Sequence, residues 1–262
     1  MLAQILHSAR GPITAPPLVI AHGLFGSARN WGVIARRLAD ARDVIAVDMR
    51  NHGASAHHPA HSYPDLAADL AEVITHIGAP VDLLGHSMGG KAAMQLALTQ
   101  AQFGGALLRR LIVADIAPVA YSHDQSRHID AMQALDLAII SSRAQADALL
   151  APLVTDPALR AFFLQSLDLR TSPATWRLNL ASLRDQMDHI IGWPETTGRF
   201  DGPTLFLTGA NSHYVQPDHR PKIQSLFPKA RFAKLAGSGH WLHAEKPREF
   251  EETVRAFLNA DL

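Results

Sequence analysis

A fold of the α/β class, built on a mostly parallel sheet, is what this 262-residue sequence predicts, and three features carry the expectation. Short, nearly continuous apolar runs recur along the chain. Amphipathic stretches of helical period separate them. The alternation breaks once, between about residues 118 and 199, where the pattern reads as helix throughout.

The apolar runs are PLVIAHG (17–23), DVIAVDM (43–49), VDLLGHS (81–87), LRRLIVADIA (108–117), PTLFLTG (203–209) and ARFAKLAG (230–237). Their Val, Ile and Leu show little polar alternation, as strands covered on both faces require. Between them, SYPDLAADLAEVITHIG (62–78) predicts a helix with Ser62 as N-cap, a proline in the first turn and Gly78 at the close. MGGKAAMQLALTQ and KPREFEETVRAFL follow the same logic. The block that interrupts the rhythm holds DQSRHIDAMQALDLAI, RAQADALLAPL, DPALRAFFLQSL and TWRLNLASLRDQMDHII, all helical in pattern, and no convincing strand. It is expected to form a helical cap (118–199) over the edge of a core made of residues 1–117 and 200–262.

Composition removes several classes of function. The chain has 24 basic and 24 acidic residues and no basic stripe, so neither nucleic acid nor an anionic membrane surface is indicated as a partner. The absence of cysteine excludes disulfides, thiolate catalysis and Cys-ligated zinc, and fits a reducing compartment. No apolar run approaches the ~18 residues of a membrane span. The N-terminal patch lacks the basic and long apolar regions of a cleaved signal, so a soluble, cytoplasmic protein is expected.

The strongest chemical signal is Gly85-His86-Ser87-Met88-Gly89, a G-x-S-x-G pentapeptide that follows a buried run and opens a helix. A strand turning sharply into a helix brings backbone against backbone, and side chains two residues either side of Ser87 would collide. Such a turn presents the serine hydroxyl at the sheet's C-terminal edge, with the helix N-terminus behind it favouring negative charge. Serine needs a base to act as a nucleophile. Of fifteen histidines, His240 in AGSGHWLHAEKP follows the last apolar run in a glycine-bearing loop, and is preferred to His243 three residues on. A tetrahedral intermediate would also need donors. The amide of Met88 is one, and the IAHGLFGSARNW loop supplies the other from Leu24, with Phe25 the near alternative. His22 reads as a buried structural histidine. No H-E-x-x-H motif occurs, so nothing supports a metal.

HGLFGS, DMRNHGAS, GHSMGGK, ADIAPVAY and GSGHWLHAEKP together resemble the α/β-hydrolase superfamily and, more narrowly, the YbfF-type esterases and their abhydrolase-domain relatives. The similarity covers essentially the whole chain. It implies an α/β-hydrolase fold: a mostly parallel eight-stranded sheet in the order 1-2-4-3-5-6-7-8, with a helical cap inserted after strand 6. It also implies ester or thioester hydrolysis by a serine, without a cofactor.

Most α/β-hydrolases carry an acid in a G-x-x-D-x-x-V pattern after the seventh strand. Here those positions read Gly209-Ala210-Asn211-Ser212-His213-Tyr214-Val215, with Ser212 in the acid's place. The implied strand order sets LRRLIVADIA beside the nucleophile strand. Adjacent strands lie ~4.8 Å apart, so Asp115 at its end is within reach of the imidazole. The resembled enzymes also place their acid there. Asp48 is expected instead to anchor the Arg50–His52 loop, and Lys91 to serve packing or a cap contact.

The expected triad is therefore Ser87, His240 and Asp115, acting on a small-molecule ester or thioester. The alternatives are a cofactor-free C–C hydrolase, lyase or perhydrolase of the same fold, or a non-catalytic small-ligand receptor. A pocket of Phe25, Trp176, Leu180, Leu183, Tyr214 and Trp241 would favour short-to-medium acyl chains over peptides or charged acyl groups.

Overall fold

In the computed structural model, which describes residues 1–122 and 125–261, the chain forms one main sheet with helices on both faces. The elements of the first half are β1 (Gln4–His7), β2 (Leu18–Ala21), α1 (Gly32–Leu38), β3 (Val44–Val47), α2 (Tyr63–Ile77), β4 (Val81–His86), α3 (Met88–Thr99) and β5 (Leu108–Ala114). A block follows with α4 (Ser126–Gln133), α5 (Arg143–Leu150), α6 (Pro157–Leu164), a small hairpin of β6 (Leu167–Asp168) and β7 (Thr175–Trp176), α7 (Leu180–Asp185) and α8 (Met187–Ile191). The chain closes with β8 (Thr204–Gly209), α9 (Arg220–Leu226), β9 (Ala230–Leu235), α10 (Leu242–Glu245) and α11 (Pro247–Asn259).

The sheet runs β1-β3-β2-β4-β5-β8-β9, and only β1 is antiparallel to its neighbour. It has seven strands among the described residues, one fewer than the eight implied by resemblance. A single N-terminal strand lies along β3 where two were expected. The order is otherwise the implied one.

Strands β2, β3 and β4 are buried at every position because both faces are covered. Leu18 and Ile20 pack with α1 and α11 on one side, whereas Val19 and Ala21 pack with α2 and α3 on the other. Helix α2 begins and ends where its caps predict: the Ser62 side chain accepts from the Asp65 amide, and Gly78 closes it at φ 75°.

The interrupting block departs from expectation in one stretch. TWRLNLASLRDQMDHII is not one helix. Thr175 and Trp176 pair with Asp168 and Leu167 as a hairpin, and the helix starts only at Leu180, where the Asn179 side chain accepts from the Ser182 amide. An asparagine in this role competes with helix continuation, which is why the periodic pattern overran the true start.

Candidate active site

Strand β4 ends at His86 and α3 begins at Met88, so Ser87 makes the whole strand-to-helix turn. It does so at φ 51° and ψ −119°, a conformation that residues bearing a Cβ rarely adopt. The turn closes because Gly85 and Gly89 face each other bare. A Cβ on Gly85 would overlap the Gly89 carbonyl, and one on Gly89 would overlap the Ala21 and His22 backbone at the end of β2.

His240 and Asp115 come to this turn from the ends of β9 and β5. Nδ1–H of His240 donates to Asp115 Oδ2 at 2.8 Å, and its Nε2 accepts from the Ser87 hydroxyl at 3.0 Å. Asp115 is fully buried, also at positive φ (52°). Its Oδ1 accepts from the Gly209 amide at 3.1 Å, and the Ser212 hydroxyl donates to Oδ2. The expected acid and the serine in the acid's usual place are therefore in contact. The His240 ring lies flat on Tyr214 (centroids 3.8 Å apart, 17° between planes), and its carbonyl accepts from His86 Nε2 at 2.9 Å.

The loop after β2 offers two amides. That of Phe25 is committed to His52 Nε2 at 3.1 Å, whereas those of Leu24 and Met88 have no acceptor among the described residues. His52 Nδ1–H donates to the Arg50 carbonyl, and His22 Nε2 accepts from the Met49 amide, so backbone partners fix both rings as neutral tautomers. Burial pushes their pKa values down to about 4 for His22 and about 3 for His52. Asp48 anchors the neighbouring loop by accepting from the Ala28 and Ala54 amides. Lys91 is buried and donates to the Ile191 and Gly192 carbonyls at 2.9 and 2.5 Å, at the end of α8. His243, the second residue of α10, stacks on Trp31 at 4.3 Å.

A cavity of about 360 Å³ opens over Ser87 and His240. Leu24, Phe25, Met88, Tyr214 and Trp241 line it; Trp176, Leu180 and Leu183 do not. Trp176 is held away by its indole N–H, which donates to the Met132 carbonyl, and both leucines are buried on α7, which packs on α4. Instead Phe162, Phe163, Ile190, Tyr63, Tyr121 and Arg127 contribute to the wall. In sequence, the adjacent Phe162 and Phe163 of α6 could have signalled this, since two neighbouring aromatics widen the apolar face of a short helix.

Among the described residues no group of His, Asp or Glu side chains is arranged to hold a metal ion, and no helix is long and apolar enough to cross a membrane.

Comparison with known proteins agrees with this architecture. A model of the alpha/beta hydrolase family matches residues 18–253, and the chain belongs to that family. It is 39% identical over 257 residues to an sn-1-specific diacylglycerol lipase of Mus musculus, covering 95% of this chain and 82% of the lipase. It is also 39% identical to the esterase YbfF of Escherichia coli, covering 93% of each. A solved marine microorganism esterase superposes with a TM-score of 0.90 at 31% identity, covering 98% of this chain and all of that one.

Proposed function

We propose that the protein hydrolyses carboxylic esters, and acyl thioesters by the same route, through an acyl-enzyme formed on Ser87. The observation that carries this reading is the continuous chain of contacts from the Ser87 hydroxyl through His240 to the buried Asp115. Relatives named esterase and diacylglycerol lipase support an ester as the bond cleaved.

In this reading His240 Nε2 takes the proton of Ser87 as its oxygen attacks the ester carbonyl. The Leu24 and Met88 amides, both without an acceptor among the described residues, receive the oxyanion. His240 then gives its proton to the departing alcohol or thiol, and afterwards takes one from the water that releases the acid. Asp115 holds the ring by Nδ1 and stabilises it while charged. The helical block between β5 and β8 acts as the cap, contributing Phe162, Phe163 and Ile190 to the acyl-binding wall.

The test is labelling with a fluorophosphonate. Stoichiometric modification of Ser87, lost in His240→Ala, is the expected result. Absence of labelling in protein that binds a neutral ester would remove the nucleophile assignment.

A further inference from the structure

The cavity lining carries one sign of charge. Among the described residues it includes Lys91, Arg127 and five histidines but no Asp or Glu. Lys91, His22, His86 and His240 are already bonded to carbonyls, amides or the triad. Arg127 and His128, at the start of α4, are not; His243 is also unbonded, but its ring lies stacked on Trp31. Arg127 is solvent-exposed and has no ion pair or hydrogen bond among the described residues. His128 is only 8% exposed, and its ring nitrogens have no hydrogen-bond partner among the described residues; the ring packs on Phe163 at 5.2 Å.

Its ring nitrogens are not sealed from solvent, so the imidazole is open to a group that enters the cavity. Here burial and the adjacent Arg127 lower its pKa, which leaves a neutral ring with one N–H to donate. The positive end of α4 adds to the same place. An unpaired guanidinium, an imidazole open to the cavity and a lining with no carboxylate among the described residues together describe a receptor for a negative group.

We propose that Arg127 and His128 bind an anionic group, carboxylate or phosphate, that the substrate carries away from its scissile ester. The inference rests on the ester-hydrolase reading above and narrows its substrate class. It also departs from the sequence expectation of uncharged substrates, because nothing in the helical pattern of DQSRHIDAMQALDLAI signals that Arg127 borders the cavity.

Two matched pairs of substrates test it: methyl pentanoate against monomethyl glutarate, and monobutyrin against 1-butyrylglycerol 3-phosphate. In at least one pair the anionic member should have the higher kcat/KM by about tenfold, the effect of one charge-assisted hydrogen bond, and Arg127→Gln should collapse that ratio. The responding pair tells carboxylate from phosphate. Ratios near one in both pairs, or a ratio that Arg127→Gln leaves intact, would overturn the proposal. If no ester is turned over, the hydrolase reading fails on its own. Calorimetric binding of the two anionic compounds to the Ser87→Ala protein then decides the proposal: binding that Arg127→Gln abolishes supports it, and no binding refutes it.

Discussion

The hydroxyl of Ser212 donates to the carboxylate of Asp115, joining the loop after β8 to the end of β5. Ser212 stands where the resembled superfamily usually carries its acid, and here it bonds the carboxylate of Asp115, the proposed acid, which follows the neighbouring strand. The two residues should therefore differ sharply in consequence. Asp115→Asn would leave His240 without the acceptor that fixes its tautomer, and kcat should fall by about 10⁴-fold. Ser212→Ala removes one of three donors to a carboxylate that keeps Gly209 and His240, and should lower kcat roughly tenfold or less. Turnover of p-nitrophenyl butyrate by both variants decides this; two mild losses would mean that Asp115 does not orient the base.

The apolar wall of Phe162, Phe163, Ile190 and Trp241 sets an expectation for neutral substrates. Each added methylene buried there is worth ~0.8 kcal/mol, about fourfold in kcat/KM, until the cavity is filled. A p-nitrophenyl ester series should thus rise from acetate and then level off, and Phe163→Ala should move the plateau to longer chains. A flat series, or matched amides cleaved as fast as esters, would contradict the pocket described above.

Stability should fall in mild acid. His22 and His52 are held neutral in the fold with pKa values of about 4 and about 3, below the 6.5 of an unfolded histidine. Between pH 6.5 and those values the unfolded chain binds more protons than the native one, so stability rises with pH across that window and is lost as pH drops through it. The combined effect is on the order of several kcal/mol at full protonation. Urea midpoints at pH 7.5, 6 and 5 should decline in that order, and His52→Gln should flatten the decline.

Lys91 offers a separation of charge from packing. Its ammonium binds the last carbonyls of α8, and its stem fills buried space beside Tyr63 and Tyr121. Lys91→Met keeps most of the volume and removes a buried charge but leaves two carbonyls without their donor, so it should cost about 1–2 kcal/mol. Lys91→Ala leaves a cavity and should cost about 2–4 kcal/mol. Equal losses in chemical denaturation would show that the tether, rather than the volume, is what matters.

The features legible in the sequence are those fixed by local sterics or by strand order. Gly85 and Gly89 are required wherever a strand meets a helix through a serine, and Asp115 follows once its strand is set beside β4. Less legible was anything decided by how the helical block folds back. Trp176, Leu180 and Leu183 have the chemistry of a pocket wall, but a single indole hydrogen bond and the late start of α7 turn them into the block's interior. Strand β1 escaped because QILH alternates between exposed and partly covered positions at the sheet's margin, and four residues are too few to show a period. The contact of Ser212 with Asp115 depends on a loop conformation that no pattern encodes.

Ser87 and Asp115 occupy matching places on adjoining strands. His86 is in register with Ala114, the Ser87 amide donates to the Ala114 carbonyl, and Asp115 is the next residue. Their separation is thus inherited from the innermost ladder of the sheet. The proposed base is carried differently: His240 follows β9, an edge strand that among the described residues pairs with β8 alone. Two of the three groups ride on the rigid middle and the third on the margin. Gentle warming that loosens the margin should uncouple His240 while Ser87 and Asp115 stay aligned. Turnover would then fade several degrees before helical circular dichroism does, and return on cooling as β9 docks again.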